Sequence, residues 1–339
     1  MGVRSFGNDC LIIGNTISDG SDGIFIEDAN SLVVRNNTIS TMTNDGINLI
    51  RSAFTSISGN SIQNCGVVAI HLKDSSHVTV KDNTLVDSKW GVLSSNATSL
   101  AISYNRISNM KEDGIQLKDT ASSSISGNSI SNCEFGAISL WDSSHIAISN
   151  NTINTSMTGI VALSSISGNS TIIGNSISNC EYAISLWDAS HVAIRNNNIS
   201  ANSHIGIELW ITSSTDVRGN IVNNNGGVGI HLLEIGLDIS NIENYSEMVG
   251  GFHLLESGLD TKIVNNTVNG NGGGGMIITA SDETLIAGNM LDSNKGPGIF
   301  LVGIRLLDIG LDIGLDISNI VNYSEAVDTK IVNNTVNGN

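Results

Sequence analysis

Proline and aromatic residues are rare in this sequence: one proline, Pro297, occurs among 339 residues, and aromatic residues make up 4%. Basic residues are also scarce, because 15 Lys and Arg stand against 32 Asp and Glu and leave a net charge of −17. A surface of this charge repels phosphate backbones, so no nucleic-acid partner is expected. No apolar run reaches the roughly 18 residues that a membrane helix needs, so we expect no membrane insertion.

What the sequence does have is an internal repeat. An Asn followed closely by an aliphatic residue, as in GNTI, NNTI and GNSI, recurs every 22–24 residues, with two larger steps of 46 and 45. A second column, of Gly or Ala, runs in similar steps from Gly23 to Gly298 without a gap. This column passes through Gly251 and therefore predicts a coil where the Asn column has its first gap. The Asn column comprises Asn15, Asn37, Asn60, Asn83, Asn105, Asn128, Asn151, Asn175, Asn197, Asn220, Asn266, Asn289 and Asn334.

Each small residue of the second column is followed by an apolar residue, a variable residue and another apolar residue, as in Ile70/Leu72 and Ile207/Leu209. This period of two predicts a strand with one buried face. A second short strand is expected before each Asn, and a coil of 22–24 residues leaves no room for a useful helix. Strands this short must share a core with the coils above and below. The sequence therefore predicts an all-β fold, a single parallel β-helix (solenoid) with 22–24 residues per coil.

The Asn column has a physical reason within such a stack. An inward-facing turn residue must satisfy buried backbone groups, and an amide side chain carries both a donor and an acceptor. It can bond the local backbone and the amides of the adjacent coils. We therefore interpret the column as a structural ladder rather than as a catalytic feature, formed by Asn37, Asn60, Asn83, Asn105, Asn128, Asn151, Asn175, Asn197 and Asn220.

These two columns resemble the right-handed parallel β-helix repeat of the pectin-lyase-like superfamily, including its NosD-type and its carbohydrate-binding and sugar-hydrolase families. The resemblance covers nearly the whole chain, but its motif identifies a fold rather than a reaction. It implies right-handed coiling and three short sheets. Pectate-lyase-like members bind calcium through clustered Asp residues and use an Arg or Lys base. Here Arg51 is the only outward Arg near that face, and no dense Asp cluster surrounds it.

The last part of the chain departs from the repeat. The segments LLEIGLDISNIENYSE and LLDIGLDIGLDISNIVNYSE are near-duplicates. We assign 1–302 to the β-helix, 303–327 to an irregular coil or protrusion, and 328–339 to the start of a further coil. Because no terminal cap is visible, we expect a longer native protein or end-to-end self-association.

One patch combines aromatic rings, carboxylates and imidazoles. Two positions after the Gly column, Glu208, His231 and His253 fall on coils that the spacing makes successive. Two positions further on, Trp187 and Trp210 fall on adjacent coils, and Glu234 and Glu256 lie near the same region. We expect these side chains to point outward and to be exposed. Exposed Trp rings offer a stacking surface for sugars, while Glu and His together would suit a metal ion or acid–base chemistry. The third interpretation is that these are ordinary solvent-facing residues with no binding role.

Two further groups have plainer interpretations. Asp22 and Asp45 precede Gly on adjacent coils, and paired carboxylates of this kind are candidate calcium ligands, although Asp-Gly is also ordinary turn chemistry. No other cofactor is indicated. The cysteines are predicted to be free, because coils separate them by more than the roughly 7 Å between Cα atoms that a disulfide tolerates. They are Cys10, Cys65, Cys133 and Cys180.

The function favoured by these observations is that of an extracellular or cell-surface module. Its long acidic sheet would bind a polysaccharide, a glycoprotein or another partner, or would serve in structural assembly. The alternative is a polysaccharide-modifying enzyme of the pectin-lyase-like superfamily (a lyase, hydrolase or epimerase) that uses the patch around Glu208. The sequence shows no signal peptide at Met1.

Overall fold

Three short strands per coil, joined by tight turns, make up the chain. The computed structural model describes residues 2–164, 166–233, 261–279, 284–302, 306–309 and 329–338, the side chains of 301–302, 306–309 and 329–330 excepted. These residues form a parallel β-solenoid of about 12 turns with about 23 residues per turn, and none of them lies in a helix. No described segment could therefore cross a membrane as an apolar helix. The predicted fold class is confirmed.

The strands form three columns, because each coil repeats the same turns. The first column follows the Gly or Ala positions and contains Val3–Ser5, Ile24–Glu27, Ile47–Ile50, Val68–Lys73, Trp90–Ser95, Ile115–Lys118, Tyr182–Trp187, Ile207–Trp210, Ile230–Leu233, Met276–Thr279 and Ile299–Val302. The second precedes the Asn positions and contains Leu11–Ile13, Val33–Arg35, Ser56–Ser58, Thr79–Lys81, Ala101–Ser103, Ala121–Ser126, Ser144–Ser149, Thr171–Ile173, Ala193–Arg195, Asp216–Arg218, Lys262–Val264, Leu285–Ala287, Leu306–Ile309 and Thr329–Val332.

The third column follows the Asn positions. It contains Thr16–Ser18, Thr38–Met42, Ser61–Cys65, Thr84–Val86, Arg106–Met110, Ser176–Ser178, Asn198–Ser200, Ile221–Asn223, Thr267–Asn269, Met290–Asp292 and Thr335–Asn337. Two long strands, Ser129–Trp141 and Thr152–Ser164, run through the third column and on into the first. They join these two columns into one hydrogen-bonded sheet, while the second column remains a separate sheet.

The core is a stack of aliphatic residues in register. Ile115 pairs with Ile138, Ile184 pairs with Ile207, and these side chains are fully buried, as is Ile70. The residues between them point to the other face of the strand, since side chains alternate along a strand. The predicted inward face of the first column is therefore confirmed.

The Asn ladder is also confirmed. Asn128 donates from its backbone N and its Nδ2 to Oδ1 of Asn151 at 2.9 and 3.0 Å, and its Nδ2 also donates to the Ile102 carbonyl at 2.9 Å. Its own Oδ1 accepts the same pair of bonds from Asn105. All nine predicted ladder residues are buried. A second ladder, which sequence analysis missed, runs through Asn202, Asn225, Asn271 and Asn294.

The stacking order after Leu233 differs from the prediction. Ile230–Leu233 pairs directly with Met276–Thr279, and Asn220 Nδ2 donates directly to Oδ1 of Asn266 at 3.0 Å. The 46-residue step in the Asn column is therefore one coil step, and the coil predicted from Gly251 does not lie between them. The spacing misled because Gly251 happens to fall about midway between Gly229 and Gly275. Likewise, Asn289 donates to Asn334 across the 45-residue step.

The predicted protrusion at 303–327 lies mostly outside the described residues, so that boundary stays a prediction. Within it, Leu306–Ile309 pairs with Thr329–Val332 in the second column. All four cysteines are free, as predicted, and three of them are buried.

Candidate functional site

A groove of about 740 Å³ follows the outward face of the first strand column, with walls that run from Trp90 to His231. Its floor contains the residues between the core aliphatic positions. Gln116 is connected to His231 by five successive register pairings, through Ser139, Val161, Ser185 and Glu208. At about 4.8 Å per coil, these five steps span about 24 Å. Because parallel coils repeat one register, equal positions of successive coils form a continuous row of side chains.

Two tryptophans form one wall of the groove. Trp187 and Trp210 are register partners, and their rings stack at 4.6 Å between centroids with an angle of 2° between planes. Trp187 is 40% exposed and donates from Nε1 to Ser185 Oγ at 2.9 Å, whereas Trp210 is buried. One face of Trp187 is therefore covered by Trp210.

Glu208 lies on the floor beside these rings. It is buried, and its carboxylate accepts a hydrogen bond from Ser185 Oγ at 2.8 Å. Burial raises the pKa of Glu208 above its ordinary value, against the lowering by the Trp210 indole and by that hydroxyl. Burial, with the nearby Glu208 and Glu181 charges, also raises the pKa of the Tyr182 phenol.

His231 occupies the next coil and is fully buried. Neither of its ring nitrogens has a hydrogen-bond partner among the described residues, and burial lowers the pKa of His231 to about 4. The ring is therefore neutral at pH 7, with one N–H donor and one acceptor nitrogen that are both unused. Buried polar groups are rarely left in this state, so this one calls for a partner.

The structure corrects two parts of the predicted patch. The residue stacked beyond His231 is Ile277, so the prediction that His253 follows it on the next coil is wrong. The expectation of exposure is wrong for Glu208, His231 and Trp210, which are buried; the Trp187 ring of the adjacent coil stacks on Trp210. Among the described residues of the patch, Trp187 is the exposed one. His253, Glu234 and Glu256 lie outside the described residues, so their role in the patch stays a prediction.

Sequence analysis missed a second buried carboxylate in the groove. Asp113 accepts hydrogen bonds from Ser139 Oγ at 2.5 Å, Gly136 N at 2.9 Å and Gln116 Nε2 at 2.9 Å. Burial raises the pKa of Asp113, against the lowering by Ser139 and the Gly136 N–H. The available signal was an Asp directly before the Gly column with polar residues at the outward positions of that coil and the next.

The groove also carries apolar surface and unused donors. Phe135, Met157 and Leu163 line it and are each more than 40% exposed. The buried indole Nε1 atoms of Trp90 and Trp141 have no hydrogen-bond partner in the part of the chain that the structure describes. A ligand that supplies apolar faces and hydroxyl groups would satisfy both features.

The candidate calcium pair has other partners. Asp45 accepts hydrogen bonds from Asn48 Nδ2 at 2.9 Å and Val68 N at 3.1 Å, and its Oδ2 lies 3.1 Å from His71 Nδ1. Asp22 in turn accepts from the Asp45 backbone N at 3.3 Å. Both oxygens of Asp45 thus interact with protein groups. Among the described residues, no three or more His, Cys, Asp or Glu side chains are grouped to hold a metal ion.

Comparisons with known proteins place the fold. Residues 90–244 match the family model described as right handed beta helix region, and residues 3–138 match that of the periplasmic copper-binding protein NosD. No curated protein sequence matches the chain significantly.

Solved structures with similar folds share little sequence with this chain. The A-module of the Azotobacter vinelandii mannuronan C-5 epimerase AlgE6 is 11% identical, with a TM-score of 0.59 over 96% of this chain and 90% of that one. The catalytic domain of a GH87 alpha-1,3-glucanase is 15% identical, with a TM-score of 0.63 over 90% and 61%. The Streptococcus pneumoniae surface protein and adhesin PfbA is 14% identical, with a TM-score of 0.56 over 85% and 91%.

At these identities the solved structures establish the fold alone, and they agree with the coil geometry and with both family models. The Asn ladder, the parallel strand columns and these matches together identify the fold as a right-handed parallel β-helix.

Proposed function

We propose that this protein is a polysaccharide-binding module and that a stretch of glycan lies along the groove between Trp90 and His231. The observation that carries the proposal is His231, a neutral buried imidazole whose two nitrogens have no partner among the described residues. It lies at the end of a groove that also holds the indole N–H groups of Trp90 and Trp141, which have no partner in the same part of the chain, and exposed apolar side chains. A sugar hydroxyl both donates and accepts, which matches this mixture of groups.

The shape of the groove supports an extended ligand rather than a compact one. Its floor runs for about 24 Å over the five coil steps from Gln116 to His231, a length that suits several sugar units in a row. The free face of Trp187 offers one flat apolar surface on which a pyranose ring can stack. The proposed binding mode is thus one stacked ring, with hydroxyl contacts on either side of it.

We further propose that the protein acts outside the cytoplasm, in the periplasm or at the cell surface. The names of the NosD family and of the adhesin with a similar fold support this location. Binding to glycoprotein surfaces, an assembly role and end-to-end self-association stay predictions.

The test is a glycan array probed with the intact protein and two variants. The array contains neutral polymers, including an alpha-1,3-glucan, and acidic ones, including mannuronan. Trp187→Ala should weaken binding by about 1–3 kcal/mol, the scale of a buried aromatic contact. Phe54→Ala is the matched control, because Phe54 is 62% exposed and stacks on His77 away from the groove. If no glycan binds, or if both variants lose binding equally, the proposal fails.

A second candidate function rests on Glu208. A buried carboxyl with a raised pKa is a candidate acid or base for a polysaccharide-modifying enzyme. The two catalytic carboxyl groups of a glycosidase lie within about 10 Å of each other. Asp113 is hydrogen-bonded to Gln116, which lies four coil steps, or about 19 Å, from Glu208. Asp113 and Glu208 therefore cannot form such a pair. Product analysis of the array polymers after long incubation decides between the two. Chain cleavage, unsaturation or epimerised sugars that disappear in Glu208→Gln would establish an enzyme.

A further inference from the structure

The charged groups of the groove are almost all acidic. Among the described residues that line it, Glu112, Asp113 and Glu208 are carboxylates and none is Lys or Arg. His231 is neutral at pH 7, as its buried position requires. His204 lies 3.5 Å from Glu181, so any positive charge on that ring faces a carboxylate.

One ammonium group lies at one end of the groove and already interacts with protein groups. Lys89 Nζ lies 3.8 Å from Glu112 and 4.1 Å from the centre of the Trp90 ring. Its charge is therefore largely balanced before a ligand arrives. Over the stretch from Asp113 to His231, the described lining offers a bound anion no cationic partner.

The polar groups of this stretch suit hydroxyl groups better than carboxylates. The carboxylates of Glu112 and Glu208 accept hydrogen bonds, whereas the indole N–H group of Trp141, which has no partner among the described residues, donates one. A hydroxyl group serves both. A sugar carboxylate can only accept, and beside Glu208 it would place two negative charges together in a partly dry site, where their repulsion is strong.

From this arrangement we infer that the groove selects uncharged glycans and rejects uronate chains, although a protein with a similar fold is named as a mannuronan epimerase. This inference rests on the proposed function, since it requires that a glycan binds in the groove at all. A uronate chain carries one carboxylate on every sugar, so it meets Glu112 and Asp113 in one part of the groove and Glu208 in another. A mannose or glucose chain of the same shape brings only hydroxyl groups to the same positions.

The test uses oligosaccharides that share a backbone and differ in charge. A β-1,4-linked mannose hexamer, the matching mannuronate hexamer and the methyl ester of that hexamer are titrated into the intact protein by calorimetry at low and at high salt. We expect the mannose chain to bind at least about tenfold more tightly than the mannuronate chain at low salt. Esterification should recover most of the lost affinity, and high salt should narrow the gap. Glucose and glucuronate hexamers form a second matched set.

The outcomes separate the inference from the proposed function. If the mannuronate or glucuronate chain binds as tightly as its neutral partner, with or without added calcium, the inference is overturned while the groove remains a glycan site. If neither member of either set binds and the array is also blank, both fail. Glu208→Gln sharpens the result, because removal of this charge should raise the ratio of uronate affinity to neutral affinity. An unchanged ratio in Glu208→Gln and in Glu112→Gln would contradict electrostatic rejection.

Discussion

His71 and His231 occupy the same position of their respective coils, two residues after the small residue of the Gly column, yet their surroundings differ. His71 lies in the N-terminal part of the solenoid with Nδ1 3.1 Å from Asp45 Oδ2. His231 lies at one end of the groove, fully buried, with no partner for either nitrogen among the described residues. The fold is the same at both places, so the difference comes from the side chains of the adjacent coils.

The comparison separates structural polar groups from those available to a ligand. In the cluster around Asp45 both carboxylate oxygens interact with protein groups, and one polar atom, Asn48 Oδ1, has no partner among the described residues. The Glu208 carboxylate interacts with the Ser185 hydroxyl and the Trp210 indole, whereas neither ring nitrogen of His231 has a partner in the described part of the chain. An unmatched buried group costs stability, so its presence at a groove indicates a ligand role.

The largest expected effect concerns acid stability. The pKa of His231 is lowered to about 4 in the folded protein, below the ordinary value of 6.5. The unfolded chain therefore binds a proton first, and stability that is fully present above pH 6.5 falls as the pH drops towards 4. The loss should reach up to about 3 kcal/mol, at 1.36 kcal/mol for each unit of pKa.

Denaturant unfolding between pH 4 and 7 measures this loss, and His231→Leu should remove most of it. The matched variant His71→Leu keeps His231 and should keep the acid sensitivity. If the two variants behave alike, the contrast between the two histidines is wrong.

The Asn ladder provides the fully matched reference for this comparison. Asn128→Ala removes the acceptor for the backbone N and the Nδ2 of Asn105, and it also leaves the Ile102 carbonyl without its donor. Stranding such buried groups should cost about 2 kcal/mol of unfolding free energy. Lys118→Ala, at an exposed position of the first column, should change it little. Equal effects in thermal and chemical unfolding would contradict the structural role of the ladder.

The smallest expected effect compares the two carboxylates. The Asp45 carboxylate accepts hydrogen bonds from the Val68 N–H and from the Asn48 amide. Asp45→Asn replaces one of the accepting oxygens with an NH2 donor, which should lower the free energy of unfolding by about 1 kcal/mol at pH 7. Glu208→Gln should instead be neutral or stabilising at pH 7, because burial raises the pKa of Glu208 and disfavours its charged form. A carboxyl with a raised pKa becomes less destabilising as the pH falls, so the benefit of Glu208→Gln should shrink in acid. If Glu208→Gln lowers the free energy of unfolding more than Asp45→Asn does, the assignment of Asp45 as a structural carboxylate and of Glu208 as one available to a ligand is wrong.

Sequence reasoning predicted the features that depend on strict repetition. The stacked Ile residues and the Asn ladder follow from period and spacing, because every coil must satisfy the same core and the same turn. The second ladder was harder to see, since its column holds Cys180 before Asn202 and carries serine and other cysteines in earlier coils. Mixed residue types conceal a column that has one structural position.

The errors arose where the spacing was coincidental or where burial depended on other coils. Gly251 fits the spacing of the Gly column and suggested an extra coil. The direct hydrogen bond from Asn220 to Asn266 shows instead that successive members of the Asn column lie on successive coils. The outward direction of Glu208 and Trp210 was correct, while their burial was not foreseen. Direction is set by the alternation of one strand, whereas burial depends on the size of side chains in neighbouring coils.

If the two ring nitrogens of His231 form hydrogen bonds with a bound glycan, their NMR signals must change when the glycan binds. The nitrogen NMR spectrum of the protein with labelled imidazoles measures this change. Spectra are recorded on the intact protein with and without a saturating neutral mannose or glucose hexamer, and His231 and His71 are assigned by substitution. We expect the signals of both His231 nitrogens to shift on binding, as the ring gains a donor and an acceptor partner, while those of His71 stay unchanged. A bound hexamer that leaves the His231 signals in place would contradict this expectation.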